Sequence, residues 1–150
     1  MLVDSCVWSL ALRRRKSAAA MNAEETRLVS VLVEGIRDGR VVLVGPVRQE
    51  ILSGVKHTEQ FNKLRESLES FPDALIASSD YVHAARLDNL CRANGVQCGE
   101  VDMLLCAVAE RNGWTILTND LGLIRCIGVI ERDMSWREPA RRGRALLEVV

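Results

Sequence analysis

Residues 102–120, DMLLCAVAERNGWTILTND, decide the fold. Their first part predicts a helix from Glu100, because apolar residues recur there at helical spacing and Asn112-Gly113 is a typical helix end. Trp114 to Leu117 then predicts a short strand, and Asp120 comes just after it. A helix followed by a buried strand is the repeating unit of α/β domains.

Two segments nearer the N-terminus show the same alternation. Met1 to Val3 is an apolar run that stops at Asp4 and Ser5, and both of these residue types cap helices. Val41 to Val44 is a second apolar run, and Gly45-Pro46 after it is a typical helix start. We therefore expect an α/β domain whose parallel sheet is covered on both faces.

Between and after these segments the sequence predicts further helices and one weaker strand. Asn22 with Glu25 resembles a capping box at the start of one helix. Two amphipathic patterns follow, from Thr58 to Leu68 and from Ser79 to Cys91. Residues 126–130 are the weaker strand candidate, and residues 134–150 are predicted to form a C-terminal tail.

Composition limits the classes of protein that the chain can belong to. Its 150 residues predict a single domain over 1–150, and 20 basic residues balance 20 acidic ones. Binding of nucleic acid by bulk positive charge is therefore excluded. The five cysteines contain no C-x-x-C pair, so we expect neither a disulfide framework nor a zinc site, and a reducing cytoplasm is the expected compartment. No apolar run is long enough to span a bilayer.

Four carboxylates fall where the strands end or the helices begin. Asp4 follows the first strand, and Asp120 follows the strand that ends at Leu117. Glu50 lies in the first turns of the helix after the second strand, and Asp102 lies at the head of its helix. Ligand sites of open α/β sheets form at the carboxyl ends of the strands, so these acids are expected to share one crevice.

A shared crevice of carboxylates predicts a divalent cation. Four negative charges repel one another, and without a counterion some of them would retain protons. A set of hard oxygen ligands without histidine or cysteine suits Mg²⁺ or Mn²⁺. Such an ion activates water for attack on a phosphodiester, so the sequence favours metal-dependent phosphodiester hydrolysis.

These residues resemble the PIN-domain ribonucleases, and among them the VapC-type toxins of bacterial toxin–antitoxin pairs. The block from Asp102 to Asp120 is similar to the family's pattern of acid, apolar helix, glycine, strand and Thr-x-Asp. Leu2-Val3-Asp4-Ser5 is similar to its first strand with Asp and a hydroxyl residue. Residues 45–51, GPVRQEI, resemble the segment with its glutamate.

The resemblance implies a three-layer α/β/α sandwich with four or five parallel strands, a bound Mg²⁺ or Mn²⁺, and endonucleolytic cleavage of RNA. It implies a homodimer and a cognate antitoxin as partners, with no membrane association. The implied site comprises the catalytic acids Asp4, Glu50, Asp102 and Asp120, of which Asp4, Asp102 and Asp120 hold the metal. Ser5 and Thr118 match the hydroxyl residues beside them. After Asp120 this chain has Gly122 and Leu123, where the family often has a further Asp and an aromatic residue.

Several alternatives stay open at this point. Each Asp alone could cap a helix, complement a helix dipole or form a turn, and Glu50 alone could be a solvated helix residue. Trp8 could stack a base or pack in the core. Arg13, Arg14 and Arg15 could contact RNA or form a solvated loop. For the whole chain, the alternatives to a nuclease are a catalytically inert binding or scaffold module of the same fold and, less favoured, a receiver-like regulatory domain.

Overall fold

A computed structural model describes residues 1–13 and 21–133. Strand β1 (Leu2–Val3) pairs in parallel with strand β2 (Ile116–Leu117), so that Leu2 lies opposite Ile116 and Val3 opposite Leu117. The predicted tail at 134–150, together with Arg14 and Arg15, lies outside the described residues.

Helices make up most of the described chain. They are α1 (Ser5–Trp8), α2 (Ala23–Arg37), α3 (Gly45–Leu52), α4 (Thr58–Leu68), α5 (Ser78–Ala93), α6 (Glu100–Asn112) and α7 (Leu121–Arg132). A π-helical turn over Ser9–Arg13 continues α1. Within the described ranges, none of these helices combines the length and the apolar character needed to cross a membrane.

The helix ends follow the local chemistry that the sequence indicates. The Asn22 side chain accepts the N–H of Glu25 while Glu25 accepts the N–H of Asn22, which completes the predicted capping box of α2. Pro46 lies in the first turn of α3, as predicted. Gly113 ends α6 with φ 64°, a left-handed conformation that glycine adopts without strain.

The sheet is smaller than the resemblance implies. Besides β1 and β2, the described residues contain two isolated parallel bridges, between Leu2 and Val42 and between Leu43 and Asp73. The predicted strand over Val41–Val44 thus takes part through single bridges only. The α/β class is confirmed by the parallel pairing, whereas the expected four or five strands are not confirmed.

Both faces of the short strands are covered. Successive strand residues point to opposite faces, and both residues of β1 and of β2 are buried. Helix α6 packs against β2 and α5, and α5 also packs against α7. Around the N-terminal segment, α1 packs against α2 and α3, and α3 against α4.

The strand predicted for residues 126–130 is wrong, because these residues belong to α7. Leu123, Ile127 and Ile130 are buried at helical spacing, and Asp120 caps the first turn. An apolar run too short for a full helical period does not distinguish a strand from the buried side of a helix.

The expectation that the chain contains no disulfide is also wrong. Cys98 and Cys126 form one, with their Cα atoms 6.7 Å apart and a sequence separation of 28. The remaining cysteines, Cys6, Cys91 and Cys106, are free thiols. Cys98 lies in the segment between α5 and α6, whereas Cys126 lies on α7, so their proximity arises from the packing of α5, α6 and α7.

An ion pair between the exposed Arg111 and the buried Asp80 fixes α6 against α5. The Arg111 guanidinium donates to both carboxylate oxygens of Asp80, at 2.7 and 2.9 Å, and to the carbonyl of Leu75 at 2.7 Å. Asp80 is only 3% exposed. Burial alone would raise the pKa of Asp80, but the hydrogen bonds from Arg111 and the Ala77 N–H lower it below its usual value.

We expect Arg111→Met to lower the free energy of unfolding by about 1–3 kcal/mol, because the buried Asp80 carboxylate loses its charged hydrogen-bond donor, while the exposure of Arg111 screens part of the pair. Chemical denaturation measures the change. Lys63→Met is the matched control, since Lys63 and Glu59 form an exposed pair that contributes less than about 1 kcal/mol. Equal losses for the two variants would contradict this role of the ion pair.

Candidate active site

The pairing of β1 with β2 brings the first and the last acid of the set to the same edge of the sheet. The Asp4 N–H donates to the carbonyl of Leu117 at 3.0 Å, so the register of the two strands continues to Asp4. Both strands run in the same direction, and both acids follow the carboxyl end of a strand. Residues far apart in the chain therefore meet here.

Asp4 lies in a pocket of hydrogen-bond donors. Thr118 donates its hydroxyl to Asp4 Oδ2 at 2.7 Å, and the Cys6 thiol donates to the same oxygen at 3.0 Å. Ser5 donates to Oδ1 at 3.3 Å. Asp4 is only 5% exposed, so these donors replace the water that the carboxylate loses on burial.

Thr118 also connects Asp4 to Asp120. Its Oγ1 accepts the N–H of Asp120 at 3.0 Å while its hydroxyl proton goes to Asp4. Asp120 in turn caps α7, because its Oδ1 accepts the Leu123 N–H at 2.9 Å. The exposed Asp120 carboxylate thus has a fixed orientation at the start of the helix.

Gly122 touches the Asp120 carboxylate. A Cβ atom built on Gly122 would lie 2.9 Å from Asp120 Oδ1, closer than a real Cβ contact allows. Since Asp120 uses this oxygen to cap α7, a side chain at position 122 would require the carboxylate to move. The absence of an acid at this position is therefore consistent with the orientation of Asp120.

Asp102 lies at the centre of the acid set. Its Oδ2 accepts the Gly99 N–H at 3.0 Å, and the side chain is half-buried in the first turn of α6. Burial raises the pKa of Asp102 to about 6, the Gly99 hydrogen bond opposes this rise, and the charges of Asp4, Asp120 and Glu50 add to it. Asp102 is therefore within electrostatic reach of each of the other three acids.

Glu50 lies on the exposed side of α3. Val47 and Ile51 are fully buried and anchor this helix, whereas Glu50 is exposed. Its charge adds to the rise in the pKa of Asp102, so the electrostatic influence of Glu50 reaches Asp102. Hydrogen bonds join Asp4 and Asp120, and the other two acids are related to them through their charges.

The donor chemistry of this region fits a hard divalent cation. Its oxygen groups are carboxylates, and a cation would offset both the burial that mainly raises the pKa of Asp102 and the repulsion from the other acids that adds to it. In residues 1–13 and 21–133, no three His, Cys, Asp or Glu side chains already stand close enough together to chelate an ion. The carboxylates are near enough to repel one another and would have to close in around a bound ion.

Comparison with known proteins agrees with this architecture. The family model described as PIN domain matches residues 1–127. The chain belongs to the PIN domain family. PIN domains are typically metal-dependent nucleases, and the acid set of this one lies entirely within the matched residues. No curated protein matches the chain.

Cys6 is a site neighbour of this PIN domain that the sequence reasoning missed. Its thiol donates to Asp4 and lies 3.6 Å from Thr118 Oγ1. Burial and the Asp4 charge raise the pKa of Cys6 to about 12, so the sulfur stays a neutral donor. The available signal was its position two residues after Asp4, in the first turn of the following helix.

The proposed RNA contacts stay predictions. Of Arg13 the structure describes only the backbone, and Arg14 and Arg15 lie outside the described residues. Trp8 packs in the core, 1% exposed, with its ring centroid 5.0 Å from that of Phe71 in an edge-to-face contact. Packing rather than base stacking thus accounts for Trp8.

We expect Thr118→Val to destabilise the PIN domain by about 1–3 kcal/mol, because Asp4 then loses a buried donor and the Asp120 N–H loses its acceptor. Thermal or denaturant unfolding tests this expectation. Thr118→Ser keeps the hydroxyl and serves as the matched control, with a smaller loss. A valine variant as stable as the serine variant would contradict this role of the hydroxyl.

We expect Asp102→Asn to stabilise the metal-free protein at pH 7 by about 1–2 kcal/mol. With the pKa of Asp102 near 6 in the folded state against 3.8 normally, the folded protein binds more protons than the unfolded chain between about pH 4 and 6. The wild type therefore loses stability as pH rises through that interval. A full conversion of the pKa shift gives about 3 kcal/mol, and partial exposure reduces it.

Denaturant titrations of wild type and Asp102→Asn between pH 4 and 8, without divalent ions, measure this effect. The asparagine retains an oxygen that can accept the Gly99 N–H, so the helix cap is preserved. Glu59→Gln, an exposed carboxylate on α4, is the control. Parallel pH profiles for wild type and Asp102→Asn would rule out the raised pKa.

Proposed function

We propose that this PIN domain is a Mg²⁺- or Mn²⁺-dependent endoribonuclease that hydrolyses RNA phosphodiester bonds. The observation that carries the proposal is that Thr118 joins Asp4 and Asp120 by hydrogen bonds at the carboxyl ends of β1 and β2, with the charges of both acids reaching Asp102. A PIN domain is a nuclease in general, and the choice of RNA and of endonucleolytic cleavage rests on the resemblance to the VapC-type toxins.

Each side chain of the site has a distinct task in this proposal. Asp4, Asp102 and Asp120 would hold the ion, with Asp4 oriented by Thr118 and Ser5, Asp102 by Gly99, and Asp120 by the first turn of α7. Glu50 is exposed and would orient the attacking water. Since the substrate is a polyanion, an acidic crevice attracts it only when the charge of the acids is compensated.

A divalent cation, when bound, lowers the pKa of a coordinated water and neutralises charge on the phosphate oxygens. The chain's own contribution is the arrangement of its carboxylates before substrate arrives. Hydrogen bonds to Asp4, Asp102 and Asp120 limit the rotation of these side chains, which reduces the entropy lost when they converge.

The cellular role that we propose is that of the toxin in a type II toxin–antitoxin system. It comes with a homodimer, a cognate antitoxin and a cytoplasmic location, all drawn from the resemblance. A three-layer sandwich with four or five parallel strands is likewise part of the proposal. The bridges at Val42 and Asp73 support it, since they extend the β1–β2 pair on one side.

A catalytically inert PIN-fold binding module is the second candidate. The observation that favours it is that the acids of the described chain do not already form a chelating group. A receiver-like regulatory domain is less favoured, because the matched family is the PIN domain.

We expect Asp102→Asn and Asp4→Asn each to lower the rate of RNA cleavage by about 100-fold or more, because each removes a negative charge that would hold and orient the cation. The assay uses a fluorescent single-stranded RNA with Mg²⁺ or Mn²⁺, and Glu59→Gln should cleave like wild type. Calorimetry with the metal alone should show binding to wild type and weaker binding to both asparagine variants.

Two outcomes contradict the proposal. Undiminished cleavage by a folded Asp102→Asn protein would show that the acids do not carry the reaction. Folded wild type that neither binds the ion nor cleaves RNA would leave the inert binding module as the function.

A further inference from the structure

The Cys98–Cys126 disulfide joins the segments that carry two of the site acids. Cys98 directly precedes Gly99, the cap residue of α6, and Cys126 lies on the buried side of α7. The chain closed by this bond, residues 98–126, contains Asp102, Thr118 and Asp120. The bond therefore encloses much of the candidate site within one covalent ring.

At one end of the bond lies the donor that holds Asp102. The N–H of Gly99, the residue after Cys98, donates to Asp102 Oδ2 at 3.0 Å. A Cβ atom on Gly99 would lie 3.1 Å from that same oxygen, so the backbone at position 99 is packed directly against the carboxylate. Displacement of Cys98 would displace this donor.

The groups that hold Asp120 lie near the same sulfur. Cys98 Sγ is 3.4 Å from the carbonyl oxygen of Gly122, and Gly122 abuts Asp120 Oδ1. The next residue, Leu123, donates its N–H to that oxygen at 2.9 Å. Cys126 lies one helical turn beyond Leu123, on the same buried side of α7. The disulfide thus lies beside the backbone groups that contact Asp102 and Asp120.

We propose that the Cys98–Cys126 disulfide is a thiol-reducible clamp that sets the positions of Asp102 and Asp120, so that reduction lowers the metal affinity and activity of the site. This inference rests on the nuclease function proposed above. It makes the two cysteines positioning residues, since neither reaches the reacting atoms.

Reduction by a dithiol balances as a two-electron exchange. A dithiol thiolate attacks Cys98 Sγ, because the residue Cys98 is partly exposed while Cys126 is fully buried. The Cys98–Cys126 bond breaks, Cys126 leaves and takes a proton, and a mixed disulfide forms on Cys98. The second thiol of the reagent then displaces Cys98, which takes a proton, and the reagent becomes a cyclic disulfide.

Alkylation and mass spectrometry of denatured, unreduced protein first test the bond itself. We expect Cys6, Cys91 and Cys106 to be alkylated and the other two cysteines to be protected. Alkylation of all five cysteines in air-oxidised protein would overturn the proposal.

Amide hydrogen exchange in metal-free protein then tests the clamp without any activity. On reduction, we expect the Gly99 and Leu123 amides to exchange about 10-fold faster or more, while the Glu25 amide in the cap of α2 stays unchanged. The Cys98→Ser/Cys126→Ser double variant should behave like reduced wild type and not respond to the dithiol. The clamp would be overturned if reduction left the exchange rates of the Gly99 and Leu123 amides unchanged, or raised the rates of all three amides equally.

Metal binding and cleavage complete the test. Reduction should weaken Mg²⁺ or Mn²⁺ binding by about 10–100-fold, with a matching loss of cleavage. Cys91→Ser, which removes a buried thiol of the same region but not the bond, should keep the response to the dithiol. Equal metal affinity of the oxidised and the reduced protein would overturn the proposal. If the Gly99 and Leu123 amides exchange faster on reduction but neither redox state cleaves RNA, only the nuclease function is overturned.

Discussion

The parallel pairing of β1 with β2 is the constraint on which the rest of the molecule depends. It is only two residues long on each strand, yet it joins positions more than a hundred residues apart in the chain and is buried on both faces. The hydrogen bond from the Asp4 N–H to Leu117 extends that register to the acids, and Thr118 carries it on to Asp120. Short strands suffice because the helices bury every residue of the pair, so a register slip would expose apolar side chains or bury polar ones.

The arrangement of the four acids leaves their burial and their charges unequally compensated. Asp4 is buried with three donors, whereas Asp102 has one backbone donor and the charges of three other carboxylates around it. Burial and these charges together raise the pKa of Asp102, at the head of α6, while the Arg111–Asp80 pair near the other end of α6 holds the helix against α5.

The sequence was informative wherever local chemistry decides the outcome. Three helix ends were predictable because each depends on contacts between residues close together in the chain. They are the capping box of α2, Pro46 at the start of α3 and Gly113 after α6. The acids could be predicted as a set because strand ends of a parallel sheet converge, and that set stays a prediction. The hydrogen bonds that orient them could not be predicted, because Thr118 and Asp4 are joined only by folding. The helical state of residues 126–130 and the Cys98–Cys126 bond were missed for the same reason: both depend on how α7 packs against α5 and α6.

Asp120 has a double use that bears on how this chain can change. One of its oxygens completes the first turn of α7, so only the other is free to face a ligand. An amide in its place would retain the capping oxygen and the fold while giving up the negative charge. The charge of the side chain at position 120 is thus separable from its structural part, because the cap of α7 needs only one oxygen there.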